Sequence, residues 1–226
     1  MRYLIVCGGK IDKEFGLNEI KTDGIDAIIA ADSGMDFLYE NGVTPDIIVG
    51  DFDSTTTNAL EYFERKGQTE IRRLNPIKDD TDTEYAIRLA ISEGARSIVL
   101  LGATGSRIDH VLGNISRSLV GSEMCIRDSL GIGLESKTDI SIIDTNNRIR
   151  MADKPVTIEK SAQYGRFVSL IALTDDNEVS LKGFKYPVTD YSFDRFTSLG
   201  ISNEIVDDHA LIDIHRGKFI IIESKD

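Results

Sequence analysis

The sequence predicts an α/β protein with an N-terminal unit built on a parallel sheet and a C-terminal antiparallel β-sandwich. Over residues 1–144, short apolar strands alternate with segments of helical period. This alternation indicates right-handed crossovers and a parallel sheet covered on both faces. After about Asp144, short strands follow one another at turn spacing, with no helical period between them. That pattern is typical of a small sandwich, and we place the second unit at residues 145–226, after a polar joint over Asp144–Asn147.

Six strands are predicted in the first unit, each ending at glycine, proline or a polar residue. They are Leu4–Cys7, Asp26–Ala31, Ile47–Val49, Glu70–Leu74, Ser97–Leu101 and Ile140–Ile143. Helices are predicted from Met35 to Asn41, over Thr55–Lys66, from Thr81 to Gly94 and from Asp109 to Leu119. Thr81 with Glu84 forms a capping box at the start of the third helix. In the fourth, four residues stand at core spacing: Val111, Leu112, Ile115 and Leu119.

Short strands are also predicted in the second unit. They are Arg148–Met151, Phe167–Leu173, Glu178–Leu181, His209–Ile214 and Phe219–Ile222. Gly121–Ser129 has neither a helical nor a strand period. We interpret this segment as an exposed loop or an insertion.

Composition excludes some classes of partner. The chain has 226 residues and a formal net charge of −12, which argues against nucleic acid, because phosphate backbones are bound by clustered Lys and Arg. A nucleotide is still compatible, since a metal can screen its phosphates. Two cysteines, Cys7 and Cys125, do not make a disulfide framework. The sequence shows no signal peptide and no apolar run of membrane-spanning length, so we expect a cytoplasmic protein with no membrane partner.

The first candidate site follows the third strand, in Gly50-Asp51-Phe52-Asp53-Ser54. In extended backbone the side chains at i and i+2 point the same way, so Asp51 and Asp53 would stand together at the strand's carboxyl end. Open parallel sheets bind ligands at that edge. Two carboxylates and phosphate oxygens are ligands that Mg²⁺ prefers. The alternative is a solvated turn that carries two acids.

A third acid lies in Lys78-Asp79-Asp80-Thr81-Asp82-Thr83-Glu84, after the fourth strand. If Thr81 caps the helix, Asp82 falls in its first turn, at the same sheet edge as Asp51. An acidic first turn is also favourable without any function. Lys78 either contacts a phosphate oxygen or offsets the charge of the neighbouring acids.

A glycine-containing loop, Gly102 to His110, follows the fifth strand. Glycines let backbone amides approach a phosphate, the next helix start favours anions, and Arg107 adds donors. The alternative, with Asp109 as an N-cap and His110 as a helix-start side chain, is weaker here because both fall with Arg107 at the same edge as the acids. Asp32-Ser33-Gly34, after the second strand, would complete the edge.

Taken together these motifs resemble the thiamine pyrophosphokinase family. The motifs are Gly50–Ser54, Lys78–Glu84, Gly102 through His110 with Asn114, and Ser202–Glu204. The resemblance runs over nearly the whole chain. It implies an ATP- and Mg²⁺-binding catalytic domain over residues 1–144 and a thiamine-binding, dimer-forming sandwich over residues 145–226. It further implies transfer of the pyrophosphoryl group of ATP to the hydroxyl of thiamine, with release of AMP.

The resemblance also implies site residues. Asp51, Asp53 and Asp82 would hold Mg²⁺ across the phosphates, and Arg107 would act with them in catalysis. Thiamine would contact Tyr186, Ser202 and Asn203 at a homodimer interface. The remaining residues assigned to ATP are Asp32, Gly34, Lys78, Asp79, Thr104, Gly105, Asp109 and His110.

Two other functions stay open at this point. One is a metal-dependent phosphohydrolase with an Asp-x-Asp nucleophile, and the other is a non-catalytic sensor of nucleotide or thiamine. Without the resemblance, Tyr186 would be read as sandwich core and Ser202-Asn203 as an ordinary turn.

Overall fold

The computed structural model describes residues 1–52, 58–75, 81–105, 108–115, 129–195 and 197–226, with the side chain of His110 excepted. The chain divides into two compact units, Met1–Thr145 and Asn146–Asp226. In the described residues, none of the helices is long and apolar enough to cross a membrane.

In the described part of the first unit, parallel strands form a sheet in the order β6-β5-β1-β2-β3-β4. The strands are β1 (Arg2–Val6), β2 (Ala27–Ala31), β3 (Ile47–Gly50), β4 (Glu70–Arg73), β5 (Ser97–Leu101) and β6 (Asp139–Ile143). From β1 the chain builds outward through β2, β3 and β4, and then returns to add β5 and β6 on the other side. The order therefore reverses between β1 and β5, and such a switch point is where open α/β sheets bind ligands.

Helices connect these strands. They are α1 (Lys13–Ile20), α2 (Gly34–Glu40), α3 (Ala59–Lys66), α4 (Asp82–Ser92), α5 (Ile108–Ile115) and α6 (Ser129–Ser136). Alternate residues of β1, β3 and β5 pack with Met35, Leu38 and Phe63 of α2 and α3 in one buried cluster. This apolar burial holds the strands in register and thereby positions their carboxyl ends.

The sequence patterns did not predict α1 or α6. The signal for α1 was present in Asp12, whose side chain caps the helix by accepting from the Phe15 backbone N–H at 2.9 Å. Ser129, predicted as the end of an exposed loop, instead begins α6 and is 3% exposed. The rest of that predicted segment, Gly121 to Asp128, lies outside the described residues.

Leu112 was predicted to face the core, and that prediction is wrong, because its side chain is 48% exposed. In α5, Asn114 turns inward and donates from Nδ2 to the Ala103 carbonyl at 2.9 Å. Residues two positions apart in an α-helix are separated by about 200° around its axis, so Leu112 falls on the opposite side of the helix from Asn114. The spacing of apolar residues predicts an apolar side of the helix, but packing against the loop after β5 decides which side is buried.

The second unit contains two antiparallel groups of strands, in the orders β12-β9-β14-β7 and β11-β10-β13-β8. The strands are β7 (Asn147–Ala152), β8 (Val156–Glu159), β9 (Phe167–Ala172), β10 (Glu178–Lys182), β11 (Val188–Ser192), β12 (Asn203–Glu204), β13 (His209–Arg216) and β14 (Phe219–Ser224). Alternate residues of both groups pack in one buried cluster that includes Phe184, Phe193 and Phe219. The predicted sandwich is confirmed, while β8, β11 and the two-residue β12 were not predicted.

One charge is buried in this second unit. The Glu223 carboxylate is 0% exposed and lies between two guanidiniums. Arg148 donates to it from Nε at 3.0 Å and Nη2 at 2.7 Å, and Arg150 donates from Nη2 at 3.0 Å. The Tyr164 backbone N–H adds a bond of 3.0 Å. These donors offset the desolvation of a charge that would otherwise be costly to bury.

Candidate active site

Three carboxylates meet at the carboxyl edge of the parallel sheet. Asp32 directly follows β2, Asp51 directly follows β3, and Asp82 is the first residue of α4. One carboxylate oxygen of each lies within 4.8 Å of those of the other two, and all three residues are half-buried. Residues from three separate crossovers therefore converge on one point.

Two left-handed residues shape this point. Asp32 has a φ of 47° and Phe52 a φ of 63°, values that non-glycine residues rarely adopt. The Asp32 backbone N–H donates to the Val49 carbonyl at 2.7 Å, which ties the end of β2 to β3. A Cβ on Gly50 would lie 3.1 Å from both the Asp32 Cα and the Phe52 ring. Glycine at this position thus lets the two turns approach each other.

Asp82 is positioned by the cap of α4. The Thr81 side chain accepts from the Glu84 backbone N–H at 3.2 Å, as predicted, and the Glu84 carboxylate binds Arg88 Nη2 at 2.8 Å. The neighbouring Thr83 hydroxyl lies 3.6 Å from Cys7 Sγ at the end of β1. Burial raises the pKa of the Cys7 thiol to about 11, so the thiol stays protonated and serves as a packing group.

The loops after β1 and β5 touch through their backbones. The Gly9 N–H donates to the Gly102 carbonyl at 3.0 Å, and Gly102 has a φ of 76°. A Cβ on Gly9 would lie 2.2 Å from the Gly102 carbonyl oxygen and 2.7 Å from the Gly105 Cα. Sequence reasoning identified Gly8-Gly9 only as a tight loop. Its position after the first strand was the available signal that it belongs to this edge.

Gly34, predicted to contact ATP, is required by the fold itself. It opens α2, and a Cβ there would lie 2.0 Å from the Val6 carbonyl oxygen of β1. We expect Gly34→Ala to lower the free energy of unfolding by roughly 1–3 kcal/mol, because the added methyl group forces backbone apart. Urea unfolding measures this, with Gly113→Ala in α5 as the comparison, since its Cβ would meet nothing within 4 Å and its φ is not in the left-handed region. If the free energy of unfolding falls equally in the two variants, the close approach of Gly34 to Val6 does not explain the loss of stability.

Other predicted residues lie on the loop after β5 and on α5. Thr104 and Gly105 are half-buried in the loop after β5. Asp109 is exposed in the first turn of α5, and His110 belongs to the same helix. Four predicted residues lie outside the described part of the chain: Asp53, Lys78, Asp79 and Arg107.

The donor set fits a hard divalent cation, because carboxylate oxygens are the ligands that Mg²⁺ takes from proteins. Asp51 and Asp82 were predicted as metal ligands. Asp32 was assigned to ATP binding and not to the metal, yet its carboxylate is grouped with the other two. Its signal was its place after β2, at the same edge as Asp51.

In the second unit, Tyr186 presents an open ring that is 61% exposed. Its main chain is held by the Asn203 side chain. The Tyr186 N–H donates to Asn203 Oδ1 at 3.0 Å, and Asn203 Nδ2 donates to the Tyr186 carbonyl at 2.9 Å. Ser202 adopts a φ of 59°, and its N–H donates to Ser169 Oγ at 3.0 Å.

Asn203 was predicted to contact thiamine, and in the structure its amide also binds the surrounding backbone. Oδ1 also accepts from the Glu204 N–H at 2.9 Å, so both of its lone pairs are engaged by backbone. The residue is only 6% exposed. Asn203 therefore orients the Tyr186 segment, and contacts of Tyr186, Ser202 and Asn203 with thiamine stay predictions.

Fold and site together define a class: an α/β unit with an acidic, glycine-lined edge at its switch point, followed by an antiparallel sandwich. The family description "Thiamin pyrophosphokinase, catalytic domain" matches residues 21–125. A second, "Thiamin pyrophosphokinase, vitamin B1 binding domain", matches residues 155–219.

Individual relatives and solved structures of the same family are also similar to this chain. Thiamine pyrophosphokinase of Bacillus subtilis (strain 168) is 32% identical over 200 residues, covering 88% of this chain and 87% of the relative. A crystal structure of thiamine pyrophosphokinase from Bacillus subtilis has a TM-score of 0.83 at 29% identity and covers 100% of both chains. Another, from Geobacillus thermodenitrificans, has a TM-score of 0.81 at 27% identity, covering 100% of this chain and 98% of that one. The chain belongs to the thiamin pyrophosphokinase family.

Proposed function

We propose that this protein is a thiamine diphosphokinase, which transfers the pyrophosphoryl group of ATP to the hydroxyl of thiamine and forms thiamine diphosphate and AMP. The observation that carries the proposal is the convergence of Asp32, Asp51 and Asp82 at the switch point of the sheet. The family matches in both units support it. Such transfers need little covalent chemistry from the protein, so positioning and charge neutralisation dominate.

Asp51 and Asp82, with Asp32 and the predicted ligand Asp53, would hold Mg²⁺. When bound, this cation neutralises charge on the phosphates. The glycines of the loops after β1 and β5 leave room for ATP phosphates close to the backbone. Arg107 and Lys78 are assigned to offsetting charge on the transferred group, and Thr104, Gly105, Asp79, Asp109 and His110 to the surroundings of ATP.

Residues 1–144 would form the ATP- and Mg²⁺-binding domain, and residues 145–226 the domain that binds thiamine and forms a homodimer. The second unit exposes several large apolar side chains, which is common where proteins associate. Among the described residues they are Tyr186, Tyr191, Leu199, Ile201 and Val206. A cytoplasmic location stays a prediction.

The activity is tested by measuring AMP formed from ATP with and without thiamine. The proposal requires AMP to appear only when thiamine is present, in equal amount to thiamine diphosphate. Phosphate release without thiamine would instead indicate a metal-dependent phosphohydrolase. Binding without turnover would indicate a sensor.

We expect the protein to sediment as a dimer, because the proposed thiamine site takes Tyr186 from one chain and the Asp51 edge from its partner. Sedimentation velocity at assay concentrations, with activity measured on the same samples, checks this. An active monomer would contradict it.

We expect Tyr186→Ala to raise the KM for thiamine several-fold while the KM for ATP changes little. Aromatic stacking is worth on the order of 1 kcal/mol beyond the area it buries, and the residues assigned to ATP belong to the first unit, whereas Tyr186 belongs to the second. Initial-rate kinetics with each substrate varied in turn measures both constants. Tyr191→Ala, a matched change on β11 where the ring packs on Phe193 at 5.2 Å, is the control. A raised KM for ATP alone would remove Tyr186 from the thiamine site.

A further inference from the structure

The segment that carries Tyr186 is paired along its length with β12 and the residue after it. Phe184 forms a bridge with Ile205, and the Lys185 N–H donates to the Glu204 carbonyl at 2.8 Å. With the two bonds from Asn203 to the Tyr186 main chain, this pairing fixes the direction in which residues 185 and 186 leave the sheet. The side chains of Lys185 and Tyr186 are therefore presented from a held backbone.

A charged cluster lies beside the Tyr186 ring. The Glu204 carboxylate accepts from Lys185 Nζ at 2.9 Å through one oxygen and from Arg166 Nε at 2.8 Å through the other. Lys185 Nζ lies over the Tyr186 ring, 5.6 Å from its centroid. The hydrogen bond to Glu204 thus holds the Lys185 ammonium group close to the ring that is proposed to stack on thiamine.

All three groups of the cluster are charged at neutral pH. The hydrogen bonds from Lys185 and then Arg166 lower the pKa of Glu204, and the bond to Glu204 raises the pKa of Lys185. Two cations and one anion leave a local charge of +1, with Asp226 acting on Arg166 at longer range. Loss of the Glu204 charge would raise this local charge to +2.

We infer that Glu204 is a specificity-determining residue: its negative charge reduces the repulsion that a cationic ligand would meet when it stacks on the Tyr186 ring. The inference rests on the proposed function, because the thiazolium ring of thiamine carries a permanent positive charge. A cation stacked on Tyr186 would approach Lys185 and Arg166, and like charges repel over such distances even in water. The carboxylate that binds both of them offsets this repulsion without touching the ligand.

The test measures dissociation constants by calorimetry for two probes: thiamine, and its isostere in which a neutral thiophene replaces the thiazolium. We expect Glu204→Gln to weaken thiamine binding roughly three- to tenfold, with a larger effect at low salt, and to leave the neutral isostere nearly unchanged. Lys185→Met should tighten thiamine binding, and the double variant should return it close to the wild-type value, since the local charges are then 0 and +1.

The outcomes separate two failures. If the wild-type protein binds neither probe, the proposed function fails before Glu204 is at issue. If the wild-type protein binds both, but Glu204→Gln weakens them equally, Glu204 only supports the backbone and the inference is overturned. Failure of Lys185→Met to restore thiamine binding in the Glu204→Gln background would also overturn it.

Discussion

Asp51→Asn is expected to lower the rate of AMP formation from ATP and thiamine by about 100-fold or more, the scale seen when one preorganised electrostatic group is lost from an active site. The Asp51 carboxylate lies close to those of Asp32 and Asp82, with one oxygen of each within 4.8 Å of those of the other two. An amide keeps the shape but removes one of the negative charges that would hold the cation. Asp82→Asn and Asp32→Asn should act in the same direction.

The loss should fall on kcat, with thiamine still bound, because these carboxylates are assigned to the phosphates and not to thiamine. Titration with Mn²⁺, followed by its paramagnetic signal, gives a readout that does not depend on turnover. Asp139→Asn is the matched control, because Asp139 is exposed at the start of β6, the opposite edge of the same sheet. Wild-type turnover in both Asp51→Asn and Asp82→Asn would overturn the assignment.

Glu223→Gln is expected to lower the free energy of unfolding by about 3 kcal/mol or more, because removal of one partner leaves buried charge without compensation. The fully buried Glu223 carboxylate takes bonds from both Arg148 and Arg150. Glutamine is nearly isosteric, but it offers one acceptor oxygen in place of two and places an N–H₂ group against guanidiniums. The effect should therefore exceed that of an ordinary surface substitution.

Urea unfolding followed by circular dichroism measures this change. Glu159→Gln, on the exposed end of β8 in the same unit, should alter stability by no more than about 0.5 kcal/mol. A loss below about 1 kcal/mol for Glu223→Gln would show that solvent or rearranged side chains replace the carboxylate easily.

Much of the first unit could be predicted from the sequence, because its strands are short apolar runs that end at glycine or at acids. That pattern alone placed Asp51 after β3 and Asp82 in a helix capped by Thr81, both at one sheet edge. The change to antiparallel strands near Asp144 could also be predicted from the local sequence pattern. Periodicity failed where the signal was weak, as in α1, α6, β8, β11 and β12.

The tertiary structure decided which residues meet. Asp32 and Asp82 are fifty positions apart in the sequence, and the backbones of Gly9 and Gly102, which are in contact, are 93 positions apart. No local pattern encodes such a contact, because it depends on strand order and on left-handed turns that only packing stabilises. Asn203 shows the same limit. The resemblance assigned it to thiamine, and only the tertiary structure shows that its amide also holds the Tyr186 main chain.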